Sequence, residues 1–487
     1  MTDRYQTLIP RPREAHRLPG SVELTAGTRL TVGPGAEAAA EAVRILLAPL
    51  RLPLPADGTG PELSVRLDEG ITQPEGYRLT VEDTGVRIEA RTVDGARHAT
   101  RVLRQLLPDH AWRTVAPAGT SWRLDCGEVT DAPALSWRGG MLDVARHFQP
   151  KHVVLRQLDL FAMHGLNRMQ LHLTDDQGWR IESRRYPELN RVASHRPGTQ
   201  VGRDRDGSHD GVPHGGFYTL DDLAEIGVYA AERGVTIVPE IDLPGHASAL
   251  LAAYPDLGVG THTVHVGWGI SAGVVRPVPA TVQFVVDVID ELAEALPVPY
   301  MHLGGDECVL RDWVTDPEVS AYMREVGIDD PVGMHGHFLR AIGAALAERG
   351  RRMVVWDEGF VTGGVLDDTV VTAWRGNDVG QRAAAAGYDV VRCPVYPTYF
   401  DYDQSEGETE PLAIGGPATL ADMAGFDPVP ADWSEAERGH VVGVQFQGWS
   451  EYIPTARHLD YMLYPRACAL ADVAWTGAPA VDLEARL

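Results

Sequence analysis

The alternation of apolar and polar positions changes character once along the chain. Up to about residue 130 it runs at period two in short stretches. "YRLTVEDTGVRIEA" (residues 77–90) alternates on both sides of Asp83-Thr84-Gly85 and predicts a β-hairpin. "DGARHATRVLRQLL" (94–107) then places Val102, Leu103, Leu106 and Leu107 on one side of a helix. Strands followed by a helix predict a small α+β domain over residues 1–132, with no catalytic pattern in it.

From residue 133 onward short apolar runs alternate with helical patterns. The runs are "GMLDVARHF", "NRMQLHLTDD", "VTIVPEIDL", "PYMHLGGDE", "RRMVVWDEG", "VVTAWRG", "DVVRCPVYPTYF" and "VVGVQFQGWSEY". Between them lie helix candidates at 150–165, 219–234, 280–296 and 335–350, with one more at 460–475. The second of these opens on Thr219-x-x-Asp222, close to a capping box. The connection at 360–368 is too short for a full helix. Eight strand candidates with helices between them predict a (β/α)8 barrel over residues 133–487. A doubly wound open sheet is the alternative, but no Gly-rich phosphate loop follows the first strand.

In such a barrel the active site lies at the C-terminal ends of the strands. In chain order these ends carry Arg146-His147, Asp175-Asp176, Asp242, Asp306-Glu307, Trp356-Asp357-Glu358, Trp374-Arg375, Tyr399-Phe400-Asp401 and Trp449-Ser450-Glu451. Singly, each has an ordinary reading as a helix cap, a solvated turn or a core residue. Together, aromatic walls with converging acids and an Arg suit a neutral, hydroxyl-rich ring such as a sugar. Paired carboxylates suit glycosidic cleavage. Yet Asp306 and Glu307 leave one strand end, whereas an acid and a protein nucleophile flank opposite sides of the bond. The adjacency hints at a nucleophile that is not a protein side chain.

Composition narrows the field. The 487 residues exceed one ordinary domain. A net charge of −25 argues against nucleic acid and anionic membrane as partners. Nearly all the basic residues are Arg, Lys151 being the only lysine. No run of 18 apolar residues occurs, so no membrane span is expected. The first twenty residues show no apolar core behind a basic start, so no signal peptide and a cytoplasmic location are expected. Cys126, Cys308, Cys393 and Cys468 form no paired spacing, and the 18 His show no HExxH-type pattern, so neither a metal nor any other cofactor is expected.

At "HLGGDE" (302–307) the chain resembles glycoside hydrolase family 20, the β-N-acetylhexosaminidases. "LDVARHF", "HLTDDQGWR", "EIDLPGH", "WDEG", "WRG" and "WSE" resemble further motifs of that family and occur in its order. The tail "LDYMLYPRACALADVAW" is similar too, so the resemblance covers essentially the whole chain. It implies an exo-acting enzyme that releases terminal β-linked GlcNAc, or GalNAc as well, by substrate-assisted catalysis. In that mechanism the 2-acetamido oxygen attacks the anomeric carbon and water opens the oxazolinium ion with net retention. It implies Glu307 as the general acid and then base. Asp306 would orient the acetamido N–H and Tyr399 would bond its oxygen. Trp356, Trp374 and Trp449 would enclose the acetamido methyl and the sugar face. Arg146, Asp401 and Glu451 would hold hydroxyls, and Asp175 and His246 would form a relay behind Glu307. Glu307 must hold a proton at working pH, while Asp306 is expected to stay ionised.

Some alternatives stay open. Tyr396 rivals Tyr399, and Phe400 stands where an aliphatic residue is more usual. The polar segment 194–219 is expected as a long loop at the rim, and "DQSEGETE" (403–410) could shape the region beyond the first sugar in the same way. A disaccharide-releasing enzyme of the lacto-N-biosidase kind is the near rival, a metal-dependent barrel hydrolase a more distant one, and a carbohydrate-binding protein without turnover a third. The expected partner is an N-acetylhexosamine-containing glycan, and the assembly is left open, with a homodimer considered.

Overall fold

The computed structural model describes residues 3–113, 116–117, 119–203 and 208–487. Of the expected rim loop, residues 204–207 lie outside this set. The N-terminal part is a six-stranded sheet in the order β1-β6-β4-β5-β3-β2. Its strands are β1 (Glu14–Leu24), β2 (Arg29–Val32), β3 (Glu62–Leu67), β4 (Tyr77–Glu82), β5 (Gly85–Ala90) and β6 (Trp122–Asp131). The hairpin read from the sequence is β4–β5, paired antiparallel through Glu82 and Gly85. Two helices, α1 (Glu37–Leu47) and α2 (Val93–Leu106), lie against each other and pack on the sheet. Val102, Leu103, Leu106 and Leu107 are all buried there, as the helical spacing requires.

After a short connection the chain enters a closed barrel of eight parallel strands. They are β7 (Trp137–Asp143), β8 (Arg168–His172), β9 (Thr236–Glu240), β10 (Tyr300–His302), β11 (Arg352–Trp356), β12 (Val370–Ala373), β13 (Asp389–Arg392) and β14 (Val441–Gly448). Seven fall within their apolar runs, and β7 begins three residues before its run, which starts at Gly140. Nearly every barrel-strand residue is buried, which is why these strands read as continuous apolar runs rather than alternating ones. The helices between them include α3 (Lys151–His164), α4 (Leu220–Glu232), α5 (Pro279–Ala295), α6 (Pro331–Glu348), α7 (Asp357–Val361) and α8 (Asn377–Ala385). Helix α4 starts with the expected capping box: the Thr219 hydroxyl accepts from the Asp222 amide at 3.0 Å, and the Asp222 carboxylate accepts from the Thr219 amide at 3.1 Å. Helix α7 is a five-residue turn, so the short fifth connection is as read.

Two helix expectations are corrected. The pattern at 460–475 is not one helix but two, α9 (Ala456–Leu463) and α10 (Arg466–Thr476). Pro465 has no amide to donate and its ring would collide with the preceding turn. Helix α6 starts four residues before "HGH": Asp330 caps it by accepting from the Gly333 amide at 2.8 Å, and Pro331 takes the first helical position. His335 therefore sits inside the helix, buried, with Nδ1 2.8 Å from the Thr362 hydroxyl.

The two parts are joined by polar contacts as well as packing. Arg138 at the foot of β7 pairs with Glu75, Trp475 of α10 donates to Asp131, and Arg486 pairs with Asp472, which also accepts from the Arg11 amide. Among the described residues no helix is long and apolar enough to cross a membrane.

Candidate active site

Three neighbouring barrel strands carry a polar residue at matching positions. Glu240 pairs in register with His172 on one side and His302 on the other. All three are fully buried, so they must satisfy each other. One Glu240 oxygen lies 2.7 Å from His172 Nδ1 and accepts from Gln170 Nε2 at 2.7 Å; the other accepts from the Trp356 indole at 2.9 Å. His172 Nε2 continues to Asp175 at 2.8 Å, and the second Asp175 oxygen lies 3.2 Å from His246 Nδ1. His246 Nε2 then stands 3.6 Å from Glu307 and 3.7 Å from Asp306. A line of alternating acids and imidazoles thus runs from the barrel interior to the strand-four carboxylates.

Charge alternation stabilises it. Burial opposes ionisation of Asp175, yet Arg146, His246 and His172 hold it well below the usual carboxylate range. Burial likewise opposes charging His246, but Asp175, Glu307 and Asp242 hold it well above the usual histidine range. His172 is raised in the same way, against burial, by Glu240 and Asp175.

The local backbone explains the Gly-Gly ahead of the acid pair. Gly304 has φ +66°, and a Cβ there would lie 1.6 Å from Asp242 Oδ1. Gly305 has φ +101°, and its amide donates to the same oxygen at 3.1 Å. Only glycine allows the chain to fold this closely over Asp242. Glu307 and His246 both take left-handed backbone conformations, φ +50° and +49°, which bring their side chains together.

The two adjacent acids end up in different surroundings. The Glu307 side chain is 33% exposed. Asp306 is buried, and its Oδ1 has no hydrogen-bond partner among the described residues. Burial and then Asp242 push Asp306 well above the usual carboxylate range, and burial pushes Asp242 up to about 7. Both shifts run against the expectation that Asp306 stays ionised, and a donor or a cation placed at Oδ1 would work the other way.

Aromatic rings close the pocket. Trp374 and Tyr399 stack with centroids 6.4 Å apart at 13°, and Tyr399 meets Trp449 edge-on at 6.2 Å. Trp356 lies behind Trp449, 6.0 Å away and 1% exposed, with its indole committed to Glu240. Tyr399 belongs to this cluster, whereas Tyr396 is 56% exposed. Asp401 and Glu451 each present a buried carboxylate oxygen without a partner among the described residues. Arg146 sits 4.8 Å over the Trp449 ring and bonds Asp175 at 2.7 Å, so it is tied into the relay.

The site thus gathers all eleven residues singled out in the sequence. It also contains four that were not assigned to it. Asp242 stood among the strand ends without a role. Glu358 accepts from the Trp374 indole at 2.9 Å, and burial, then Asp306 and Asp357, push it up to about 8. His172 and Glu240 open the motifs "HLTDDQGWR" and "EIDLPGH", where the sequence gives them no role. Spacing along the chain gave no metal pattern, but the fold brings three His/Asp/Glu groups within 4.8 Å of one another, Asp242–His246–Asp306 among them. Each group joins residues from two neighbouring strand ends, a combination no local motif displays.

At the rim, segments 194–219 and 402–418 meet where the Arg203 guanidinium donates to the Ala413 carbonyl at 2.6 Å. The first is not wholly irregular: residues 195–196 pair with 214–215. A cavity of about 450 Å³ opens there, lined by His147, Gln200, Val212, Leu412, Glu451 and Tyr452 among others.

Comparison with known proteins agrees with this arrangement. Residues 135–478 match the model of the glycosyl hydrolase family 20 catalytic domain, and residues 5–132 match that of the family's domain 2. The chain is 33% identical to a β-hexosaminidase of Porphyromonas gingivalis, over 97% of this chain and 61% of that protein. It is 34% identical to a β-hexosaminidase of Vibrio furnissii, over 96% of this chain and 76% of that protein. Among solved structures it superposes with a TM-score of 0.85 on an exo-β-N-acetylglucosaminidase of Vibrio harveyi in complex with N-acetylglucosamine. That match is 30% identical and covers 97% of this chain and 74% of that one.

Proposed function

The chain belongs to glycoside hydrolase family 20, and on that premise we propose that it is a retaining exo-β-N-acetylhexosaminidase acting on terminal β-linked GlcNAc, with GalNAc as a second substrate. The observation that supports this most directly is the split environment of the two adjacent acids. Asp306 offers a buried, unpartnered oxygen beside the aromatic cluster, and Glu307 stands half-open above His246. In this reading Glu307 gives its proton to the glycosidic oxygen as the acetamido oxygen of the substrate bonds to C1. Asp306 accepts the acetamido N–H and balances the positive oxazolinium. Tyr399 holds the acetamido oxygen, and Trp356, Trp374 and Trp449 enclose its methyl group and the sugar face. Glu307 then takes a proton from water as water adds to C1, which restores the β configuration. Arg146, Asp401 and Glu451 bind the ring hydroxyls. Residues 1–132 contribute no catalytic group.

The test is proton NMR of an aryl β-N-acetylglucosaminide during hydrolysis, with the aryl β-glucoside as control. The β-anomer should appear first, and only from the acetamido substrate. First release of the α-anomer, or equal cleavage of the glucoside, would overturn the reading.

A disaccharide-releasing mode is the second reading. It draws on the rim cavity of about 450 Å³, which Glu451 also lines. Release of a disaccharide, with no monosaccharide, from a longer glycan would favour it.

A further inference from the structure

Away from the barrel mouth, the N-terminal domain and the barrel enclose a cavity of about 430 Å³ between helices α2 and α3 and the end of α4. Its wall is rich in arginine, in a chain whose net charge is −25. Three of these guanidiniums have carboxylate partners: Arg97 with Asp94, Arg156 with Asp460 and Arg233 with Asp159. Two on α2, Arg101 and Arg104, have no carboxylate partner among the described residues.

Arg101 is 4% exposed, and none of its three guanidinium nitrogens has a hydrogen-bond partner among the described residues. Arg104 donates Nη2 to the Ala111 carbonyl at 3.0 Å, while its buried Nε has no such partner. Ring faces stand where carboxylates would be expected: Arg101 lies 4.5 Å over Trp475 and Arg104 4.3 Å over Trp112. Burial opposes the charge of Arg101, while Tyr77 and then Asp131 favour it. However, Asp131 already accepts from the Arg13 and Ala132 amides through one oxygen and from Tyr77 and Trp475 through the other. A buried cation left without hydrogen bonds is costly, and its field in a low-dielectric cavity is strong.

We propose that this interdomain cavity binds a small oxyanion, a phosphate or carboxylate group, drawn in by Arg101 and held by Arg104. Arg101 supplies the field from the inner wall, and Arg104 lines the space the anion enters. The cavity also has apolar wall at Leu46, Leu160 and Met163, which leaves room for an apolar body behind a carboxylate. Occupancy would tie the two domains together and raise stability by mass action.

The experiment is thermal unfolding of the full chain in chloride and in inorganic phosphate at matched ionic strength, for the wild type, Arg101→Met and Arg104→Gln. Phosphate well above its Kd should raise the wild-type Tm by on the order of 3 °C. The rise should shrink or vanish in both variants. In chloride, Arg101→Met should melt no lower than the wild type, since it keeps bulk and removes an unpaired charge. Should Arg101→Met not fold, Arg104→Gln carries the comparison. Hexanoate against acetate separates the ligand sources: a larger rise with hexanoate assigns a carboxylate with an apolar tail, and a rise with phosphate alone assigns a phosphate group. Equal rises in all three proteins would reflect the general salting effect of phosphate and overturn the site. No rise with any of these anions would overturn it as well.

Discussion

His246 Nδ1 lies 3.2 Å from Asp175 Oδ1, and both groups are buried. The opposite edge of the same ring faces Glu307 at 3.6 Å. An imidazole ring held between the two acids couples the buried one to the exposed one. Asp175→Asn keeps the shape and removes the charge that holds His246 protonated. We expect kcat to fall about 10²-fold with substrates whose leaving group needs protonation, and less with a nitrophenyl leaving group. Initial rates across a series of aryl glycosides would measure this. A uniform loss across the series would place the role of Asp175 in folding rather than in proton transfer.

The split between Asp306 and Glu307 predicts two different mutant signatures. Glu307→Gln removes the proton donor, so its loss, about 10²–10⁴-fold in kcat, should shrink as the leaving group improves. Asp306→Ala removes the acceptor for the acetamido N–H, so its loss, about 10²–10³-fold, should not depend on the leaving group. Slopes of log kcat against leaving-group acidity distinguish the two. Identical slopes would contradict separate roles.

Most of the fold was legible because barrel strands buried on both faces leave unbroken apolar runs, and all eight runs became strands. Helix ends were harder to read. Asp330-Pro331 starts a helix that the apolar pattern alone places four residues later, and Pro465 splits one that looks continuous. The acids and Arg146 at the strand ends stand out as polar breaks in apolar runs, while the roles of the site residues, the aromatic ones included, came from the family resemblance. His172, Glu240 and His302 open three of the resembling motifs, but their common purpose appears only when the register sets them side by side. Glu358 was missed for a similar reason: its partner Trp374 belongs to the next strand end.

The clustered His and Asp groups raise the question of a metal. His172 and His246 are both held well above the usual histidine range by their carboxylate neighbours, against the effect of burial. A metal ion bound there would have to displace the protons that these carboxylates favour. Dialysis against a chelator should therefore leave kcat unchanged, with or without divalent ions added back. Loss of turnover on chelation, restored by one metal, would favour the metal-dependent hydrolase instead.

Glu358 makes the stability of the fold depend on pH. Burial, then Asp306 and Asp357, raise its carboxyl from the ordinary value of 4.5 to about 8, and Asp242 rises by burial to about 7. Between these values and those of an unfolded chain, the folded state binds more protons, so stability falls as pH rises. The contribution is whole below about pH 4 and is lost progressively up to about pH 8. Asp175 and Glu240 act in the opposite sense: their folded values are depressed, and the stability they add is lost as pH falls below about 4. Tm should therefore be highest in mildly acidic buffer and decline toward pH 8. Glu358→Gln can still accept from the Trp374 indole but cannot ionise, so its decline between pH 5 and 8 should be shallower than that of the wild type. Parallel Tm curves for the two proteins across that range would show that the Glu358 carboxyl does not titrate there.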